Sequence, residues 1–236
     1  MLPIGDVNVR RRAPLVTIGL IVINVVVFLY QLLLPSEALD AIIFEAGLVP
    51  AATASQPALA TMGDVLTSMF MHGGWSHILG NMLYLWIFGD NIEEALGRAG
   101  YLLFYLLAGA AAAFLQVLSR PGSMVPMIGA SGAIAGILGA YMVFYPRTRV
   151  RTLLSLGFWI RFVQLPALVV LGYWFLLQLL NGVTAIGSVG GGVAWWAHTG
   201  GFLFGLAVGL LFRGRVKKSQ RLQARSVYQD DAGRWR

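Results

Sequence analysis

The sequence lacks cysteine altogether and carries little charge. Without cysteine, the chain can form no disulfide, no thiol nucleophile and no thiolate metal site. Charged residues make up 11% of the 236 residues, whereas a soluble domain has roughly 25%. No small-residue cleavage site follows the first apolar run, so the sequence does not predict a classical cleaved signal peptide. These absences argue against an ordinary soluble or disulfide-stabilised domain.

Apolar residues are abundant instead, at 58% of the chain with a mean hydropathy of +0.74. Their runs predict six transmembrane helices, at residues 16–34, 76–96, 101–118, 131–145, 165–180 and 193–212. The apolar stretches within residues 36–70 are too short to span a bilayer, which favours a membrane-associated first loop. We therefore predict an all-α polytopic membrane protein, a six-helix bundle in contact with lipid.

The net charge of +7 suggests nucleic-acid binding until the basic residues are located. In a six-span topology, all 17 lysines and arginines except Arg120 fall on the side that holds both termini. This bias predicts that both termini of a multi-pass membrane protein lie in the cytoplasm. The expected location is a bacterial inner (plasma) membrane. The basic residues are explained by the membrane, so no nucleic-acid partner is predicted. The predicted domains are a short cytoplasmic segment at 1–14, the helical core at 15–212 and a loosely ordered basic cytoplasmic tail at 213–236.

A small-residue turn at 129–136 places Ser131 in the first turn of the fourth predicted span. A serine at this position can cap the helix or act as a nucleophile. The span ends before Pro146 and is short for a full crossing. We therefore expect its helix to begin at the floor of a water-filled cavity on the extracytoplasmic side.

The three histidines are all predicted to lie near the depth of Ser131. His72 precedes the second span, His77 lies in its first turn, and His198 lies in the first third of the sixth span. Ionisable side chains at membrane depth are costly and are therefore candidates for function. The alternative is that each is an interfacial histidine bonded to a carbonyl group.

Two stripes of glycine indicate which helices meet. The stripes are Gly201, Gly205 and Gly209 in the sixth span and Gly132, Gly136 and Gly139 in the fourth. Small residues at helical spacing allow close helix packing, which would bring His198 to Ser131. A hydroxyl beside a histidine is the minimal activated nucleophile, although the glycines could also serve packing alone.

His77 and Asn81 are four residues apart and share one face of the second span. An imidazole and an amide side by side are suitable donors for a developing oxyanion, and packing alone is the alternative for Asn81. No acidic residue is predicted at this depth to orient His198. The pattern therefore indicates a Ser131–His198 dyad and not a triad.

Four motifs occur in chain order. They are His72, His77 and Asn81 (His-x4-His-x3-Asn), Gly89, Glu93 and Gly97 (Gly-x3-Glu-x3-Gly), Gly129, Ser131 and Gly132 (Gly-x-Ser-Gly), and Ala197, His198, Gly201 and Gly205 (Ala-His-x2-Gly-x3-Gly). Together they resemble the motifs of the rhomboid family of intramembrane serine proteases. The resemblance covers the core from about residue 15 to residue 212. The sequence departs from the family in residues 35–70, which contain neither Trp nor Arg, so the Trp-Arg pair of many members is missing.

The resemblance implies a six-helix fold and a serine endopeptidase. It assigns Ser131 as nucleophile, His198 as general base and acid, His77 and Asn81 as the oxyanion hole with the Ser131 backbone N–H, His72, Gly129 and Gly132 as supporting residues, and Glu93 as a structural hydrogen-bonding group. The implied substrates are membrane proteins cleaved in or beside a helix-destabilised transmembrane segment, without a metal or organic cofactor. The fifth span and the loop at Gly190, Gly191 and Gly192 are expected to move to admit substrate.

Two alternatives stay open at this point. The first is a catalytically inactive relative that binds and escorts membrane proteins, although such relatives typically lose the serine or the histidine. The second is a metal-dependent enzyme or transporter that uses His72, His77 and His198. The spacing of His72 and His77 does not place them on one helical face, and no carboxylate accompanies them.

Overall fold

The computed structural model describes residues 1–8, 12–156, 159–185 and 193–233, with side chains of the last range described as far as Val216. The elements in chain order are β1 (Leu2–Asp6), α1 (Leu15–Leu32), α2 (Ser36–Ala46), a 3-10 turn (Pro50–Ala52), α3 (Ala58–Ser68), α4 (Trp75–Leu96), α5 (Arg98–Ser119), α6 (Ser131–Phe144), β2 (Arg149–Leu156), β3 (Trp159–Pro166), α7 (Ala167–Thr184) and α8 (Trp195–Gly233). The protein is therefore mainly helical, with one small sheet.

The six predicted spans correspond to α1, α4, α5, α6, α7 and the first part of α8. Within the described residues, four helices are long and apolar enough to cross a membrane: α1, α5, α7 and the part of α8 from Trp195 to Val216. Helix α6 is apolar but shorter, and α4 carries acidic residues in its second half. A multi-pass membrane protein follows from the four apolar helices, and the count of six crossings stays a prediction.

Helix α6 forms the centre of the bundle and is buried except at Ser131 and Met142. It packs against α8 with backbone touching backbone. A Cβ atom added to Gly201 would collide with the carbonyl oxygen of Gly132, and one added to Gly205 would collide with that of Gly136. The predicted packing of the two glycine stripes is confirmed, because only residues without a Cβ allow so close an approach.

Glu93 of α4 binds the beginning of α1. Its carboxylate accepts hydrogen bonds from the backbone N–H groups of Val16 (3.1 Å) and Thr17 (2.8 Å) and from the Thr17 hydroxyl (2.9 Å). The first N–H groups of a helix lack partners within the helix, and a carboxylate there also complements the helix dipole. The structural hydrogen-bonding role predicted for Glu93 is confirmed by these contacts.

A three-stranded antiparallel sheet corrects the all-α prediction. Its order is β1-β2-β3, with Leu2 paired to Leu153 and Thr152 paired to Val163. Asp6 anchors β1 to the helices, because its carboxylate accepts hydrogen bonds from the Tyr141 hydroxyl (2.6 Å) and the Asn91 amide (3.0 Å). The alternation of polar and apolar residues at 149–151, Arg-Val-Arg, was the available signal for β2. The partner strand β1 could not be recognised, because it pairs across more than half of the chain.

The first loop contains helices, its membrane association stays a prediction, and the tail differs from its prediction. Residues 36–70 contain α2 and α3, and the Thr67 hydroxyl of α3 donates to the Ala46 carbonyl oxygen at 2.6 Å. A bridge between Leu48 and Met127 ties this segment to the turn before α6. The tail predicted to be loosely ordered continues α8 as a helix through Gly233. The loop at Gly190, Gly191 and Gly192, predicted to be mobile, lies outside the described residues.

Candidate active site

Ser131 lies at the first position of α6, on the wall of a cavity of about 1350 Å³. The same cavity is lined by His77, Asn81, Trp174 and His198. Of the residues predicted to lie at one depth, Ser131, His77 and His198 therefore share one space, whereas His72 does not line it. A cavity of this size can hold a peptide segment together with water molecules.

Gly129 allows the turn before Ser131 to adopt a backbone conformation that other residues rarely adopt. Its φ of +120° is one that side chains with a Cβ rarely adopt, and a Cβ there would lie 2.7 Å from His77 Nε2. The Gly129 N–H donates to the Ser68 carbonyl oxygen at 2.8 Å. The backbone of this turn is thus packed directly against the His77 ring, which brings α4 and the start of α6 together.

The Ser131 hydroxyl and the His198 imidazole form a hydrogen bond, with 2.8 Å between Oγ and Nε2. His198 is the fourth residue of α8, and the start of that helix is anchored by a bond of 3.1 Å from the Ala197 N–H to the Gln116 Oε1 atom of α5. The ring of Trp174 lies 5.8 Å from the His198 ring, centroid to centroid. The serine and the histidine are therefore held in contact by two helices whose backbones touch where Gly201 meets Gly132 and Gly205 meets Gly136.

The second ring nitrogen of His198 contacts Gln178 of α7, with 2.8 Å between Nδ1 and Oε1. Sequence reasoning missed this residue, because it considered only acidic partners for His198. A signal was present, since Gln178 is a buried amide near the end of the predicted span 165–180, which is otherwise apolar. A polar side chain at membrane depth requires a partner, and that requirement could have identified it.

His72, His77 and Asn81 form one cluster at the beginning of α4, of which His77 and Asn81 line the cavity. The Asn81 amide nitrogen donates to His72 Nε2 at 2.9 Å, and the rings of His72 and His77 lie 5.0 Å apart. The Gly73 N–H donates to His77 Nδ1 at 3.4 Å, so the proton of a neutral His77 is on Nε2, the atom that faces Gly129. His72 is buried and does not line the cavity, so its contacts with Asn81 and His77 support the cavity wall from within the protein.

The metal-dependent alternative has no ligand set in the described part of the chain, where no three His, Asp or Glu side chains converge. His198 uses one ring nitrogen for Ser131 and the other for Gln178. Two histidines, His72 and His77, approach each other. Structural and catalytic zinc sites need at least three protein ligands.

His72 lies between α3 and α4, and its burial should make the free energy of unfolding depend on pH. Loss of hydration, with a smaller effect from His77, lowers the His72 pKa from 6.5 to about 4. The unfolded chain therefore binds a proton below pH 6.5 that the folded chain does not bind until about pH 4. We expect the free energy of unfolding to fall by up to about 1.4 kcal/mol per pH unit over this window because of His72.

The measurement is denaturant-induced unfolding in detergent at pH 7.5, 6 and 5, for the wild type and for His72→Gln. Glutamine keeps an acceptor for the Asn81 amide and does not titrate, so the variant should lose less stability on acidification. Equal loss of stability in both proteins between pH 6.5 and 4 would contradict the assignment.

Comparison with known proteins agrees with these motifs. The sequence model of the family described as "Rhomboid domain" matches residues 60–215. Among curated proteins, the chain is 27% identical over 180 residues to "Rhomboid protein 1, mitochondrial" of Saccharomyces cerevisiae, covering 73% of this chain and 46% of that protein. It is 30% identical over 160 residues to "Rhomboid protease GluP" of Bacillus subtilis, covering 66% of this chain and 29% of that protein.

A third similar protein is "Rhomboid-like protease 5" of Toxoplasma gondii, 32% identical over 156 residues, which are 63% of this chain and 16% of that protein. In all three cases the match covers less than half of the relative's length. The range matched by the family model, residues 60–215, contains all the residues that line the cavity around Ser131.

Proposed function

The chain belongs to the rhomboid family, and from this premise we propose that it is an intramembrane serine endopeptidase with Ser131 as nucleophile and His198 as general base and acid. The observation that carries the proposal is the 2.8 Å hydrogen bond between Ser131 Oγ and His198 Nε2 on the wall of a large cavity. A serine becomes a nucleophile when a base within hydrogen-bond reach accepts its proton.

The proposed reaction begins when His198 Nε2 takes the Ser131 proton as Oγ attacks a peptide carbonyl carbon. The resulting oxyanion is stabilised by His77, by Asn81 and by the backbone N–H of Ser131 at the beginning of α6. His198 then gives the proton to the leaving amine, and an acyl-enzyme remains. Water from the cavity, activated by the same imidazole, hydrolyses the ester and restores Ser131.

The supporting residues have distinct roles in this proposal. Gly129 allows the turn before Ser131 to lie against His77, and Gly132 allows α5 to approach the start of α6, since a Cβ there would lie 2.6 Å from the Ala112 Cβ. His72 holds the Asn81 amide at 2.9 Å, which leaves the second amide hydrogen available to an oxyanion. No metal or organic cofactor takes part in these steps.

The proposed substrates are membrane proteins with a helix-destabilised transmembrane or juxtamembrane segment. A peptide carbonyl within a stable helix is already bonded and is shielded by side chains, so the segment must unwind to reach Ser131. Helix α7 covers one side of the cavity through Trp174, and we propose that it moves aside to admit the substrate. Several of its apolar side chains are exposed, as on a helix that faces lipid.

For location we propose a bacterial inner membrane with both termini cytoplasmic. The pairing of β1 with β2 supports one part of this topology, since the N-terminal strand and the connection between α6 and α7 must lie on the same side. That connection contains Arg149, Arg151 and Arg161, which the positive-inside rule places in the cytoplasm.

A covalent serine probe tests the proposed function against the inactive-relative alternative. We expect a fluorophosphonate to form an adduct with Ser131 in the detergent-solubilised protein, identified by mass spectrometry of the labelled peptide. His198→Ala should lose the adduct, because Oγ is then without its base, and so should wild-type protein denatured in SDS. Absence of any adduct, or an adduct at Ser131 that does not depend on His198, would contradict the proposal.

A further inference from the structure

The Gln178 side chain occupies a position that the mechanism above does not explain. Its exposed fraction is 6%, and both ends of its amide are bonded. Nε2 donates to the Trp174 carbonyl oxygen one turn earlier at 3.2 Å, and Oε1 lies 2.8 Å from His198 Nδ1. A carbonyl oxygen can only accept, so the bond to Trp174 determines which end of the amide faces the histidine.

This orientation determines the proton arrangement of His198. Because Gln178 Oε1 can only accept, the neutral imidazole must carry its proton on Nδ1. Nε2 is then unprotonated, and the hydrogen bond of 2.8 Å to Ser131 must run from the serine hydroxyl to the ring. The general base therefore has its lone pair directed at Oγ before any substrate binds.

We infer that Gln178 is a positioning residue for the reaction, an uncharged third member that holds His198 in the tautomer and ring orientation in which it can take the Ser131 proton. This inference rests on the proposed function. Gln178 does not exchange a proton itself: the Ser131 proton moves to Nε2, while the Nδ1 proton stays on the ring and keeps its bond to Oε1.

The position of Gln178 on α7 couples the site to substrate entry. Ser131 and His198 are joined by the rigid contact between α6 and α8, whereas Gln178 belongs to the helix proposed to move. When α7 moves aside, the bond between Nδ1 and Oε1 is lost, and His198 is free to rotate or to exchange tautomers. The base is fully oriented only after α7 returns, so peptide cleavage follows closure around a bound segment.

Of the side chains placed around the His198 ring, Gln178 is the one that bonds Nδ1. The side chains placed around the ring are Ser131 from α6, Trp174 and Gln178 from α7 and Trp195 from α8, and none of these is charged. The titratable neighbour is His77 of α4.

The test compares Gln178→Leu, which removes the acceptor, with Gln178→Glu, which keeps one, using cleavage of a single-span substrate in proteoliposomes. We expect Gln178→Leu to lower kcat by roughly 10- to 100-fold with KM within about 2-fold, because an orienting bond to a developing imidazolium is lost. Gln178→Glu should retain much more of kcat, and the acidic limb of its pH–rate profile should move. Asn181→Leu, which removes an amide from the same helix one turn further on, is the matched control and should keep wild-type kcat.

Three outcomes would overturn the inference while the wild type still cleaves: an unchanged kcat in Gln178→Leu, an effect confined to KM, or equal loss in the Leu and Glu variants. Unfolding of each variant in detergent distinguishes loss of orientation from loss of fold. Should Gln178→Leu fail to fold, the comparison rests on Gln178→Glu. A pH–rate profile of this variant that is identical to that of the wild type would then contradict the role. The inference is also separable from the proposed function. The proposed function fails if the wild type neither cleaves nor labels at Ser131, if labelling does not depend on His198, or if cleavage does not depend on Ser131, whereas the inference is tested in a wild type that passes all three tests.

Discussion

Ser131→Ala is expected to abolish cleavage of a single-span substrate in proteoliposomes, with a loss of at least about 1000-fold in kcat. Without Oγ there is no atom to form the acyl-enzyme, and His198 has no proton to accept. The fold should persist, because Ser131 is only partly buried and its side chain bonds to a residue on a helix already packed against α6. Melting temperatures in detergent should therefore agree within a few degrees.

The matched control is Ser119→Ala, since Ser119 at the end of α5 lines the same cavity. That variant should cleave at the wild-type rate, because the residue has no place in the proposed reaction. Turnover by Ser131→Ala equal to that of Ser119→Ala would contradict the assignment of the nucleophile and, with it, the proposed activity.

Gly205→Ala is expected to destabilise the protein strongly, although it adds a single methyl group. The added Cβ would collide with the carbonyl oxygen of Gly136, a backbone atom that cannot rotate away. Overpacking of this kind costs about 3 kcal/mol or more, which lowers the melting temperature by roughly 10 °C in a chain of this size. The helices must separate to relieve the contact, which moves His198 from Ser131 and lowers kcat as well.

Gly172→Ala in α7 is the control for this prediction, because a Cβ there meets nothing within 4 Å. It should be neutral or stabilising by up to about 1 kcal/mol, since alanine favours a helix more than glycine does. Thermal unfolding of both variants in one detergent provides the comparison. Equal melting temperatures for Gly205→Ala and the wild type would show that α6 and α8 do not pack as described.

The missing Trp-Arg pair raised the question of how the first loop is held in place. In the structure, backbone hydrogen bonds anchor the loop, since Leu48 bridges to Met127 and the Ser68 carbonyl oxygen accepts from Gly129. The Thr67 hydroxyl adds a bond to the end of α2. The loop is thereby fixed to the turn that precedes Ser131, although neither Trp nor Arg is present in it.

Much of the site could be predicted because its signals are local. Apolar run lengths placed the helices within a few residues, and motif spacing assigned Ser131, His77 and Asn81 to helix starts on one side of the bundle. The facing glycine stripes even predicted which two helices touch. The roles of these residues stay proposals that the experiments above test.

The missed features share a cause. Strand β1 pairs with β2 across more than half of the chain, and no local pattern in residues 2–6 indicates that partner. Gln178 is a neutral amide in a span apart from every motif, so nothing in its immediate sequence connects it to His198. Both depend on where α7 and the sheet lie relative to α6, which long-range packing decides.

The sequence by itself determined the class of protein, the helices and the candidate residues, because hydropathy, charge bias and residue spacing act over one or two helical turns. Only the tertiary structure decided which atoms meet: Ser131 with His198, Asn81 with His72, and Gln178 with the remaining nitrogen of His198. Hydrogen bonds require alignment within a few tenths of an ångström, and that alignment arises when helices distant in sequence pack through glycine.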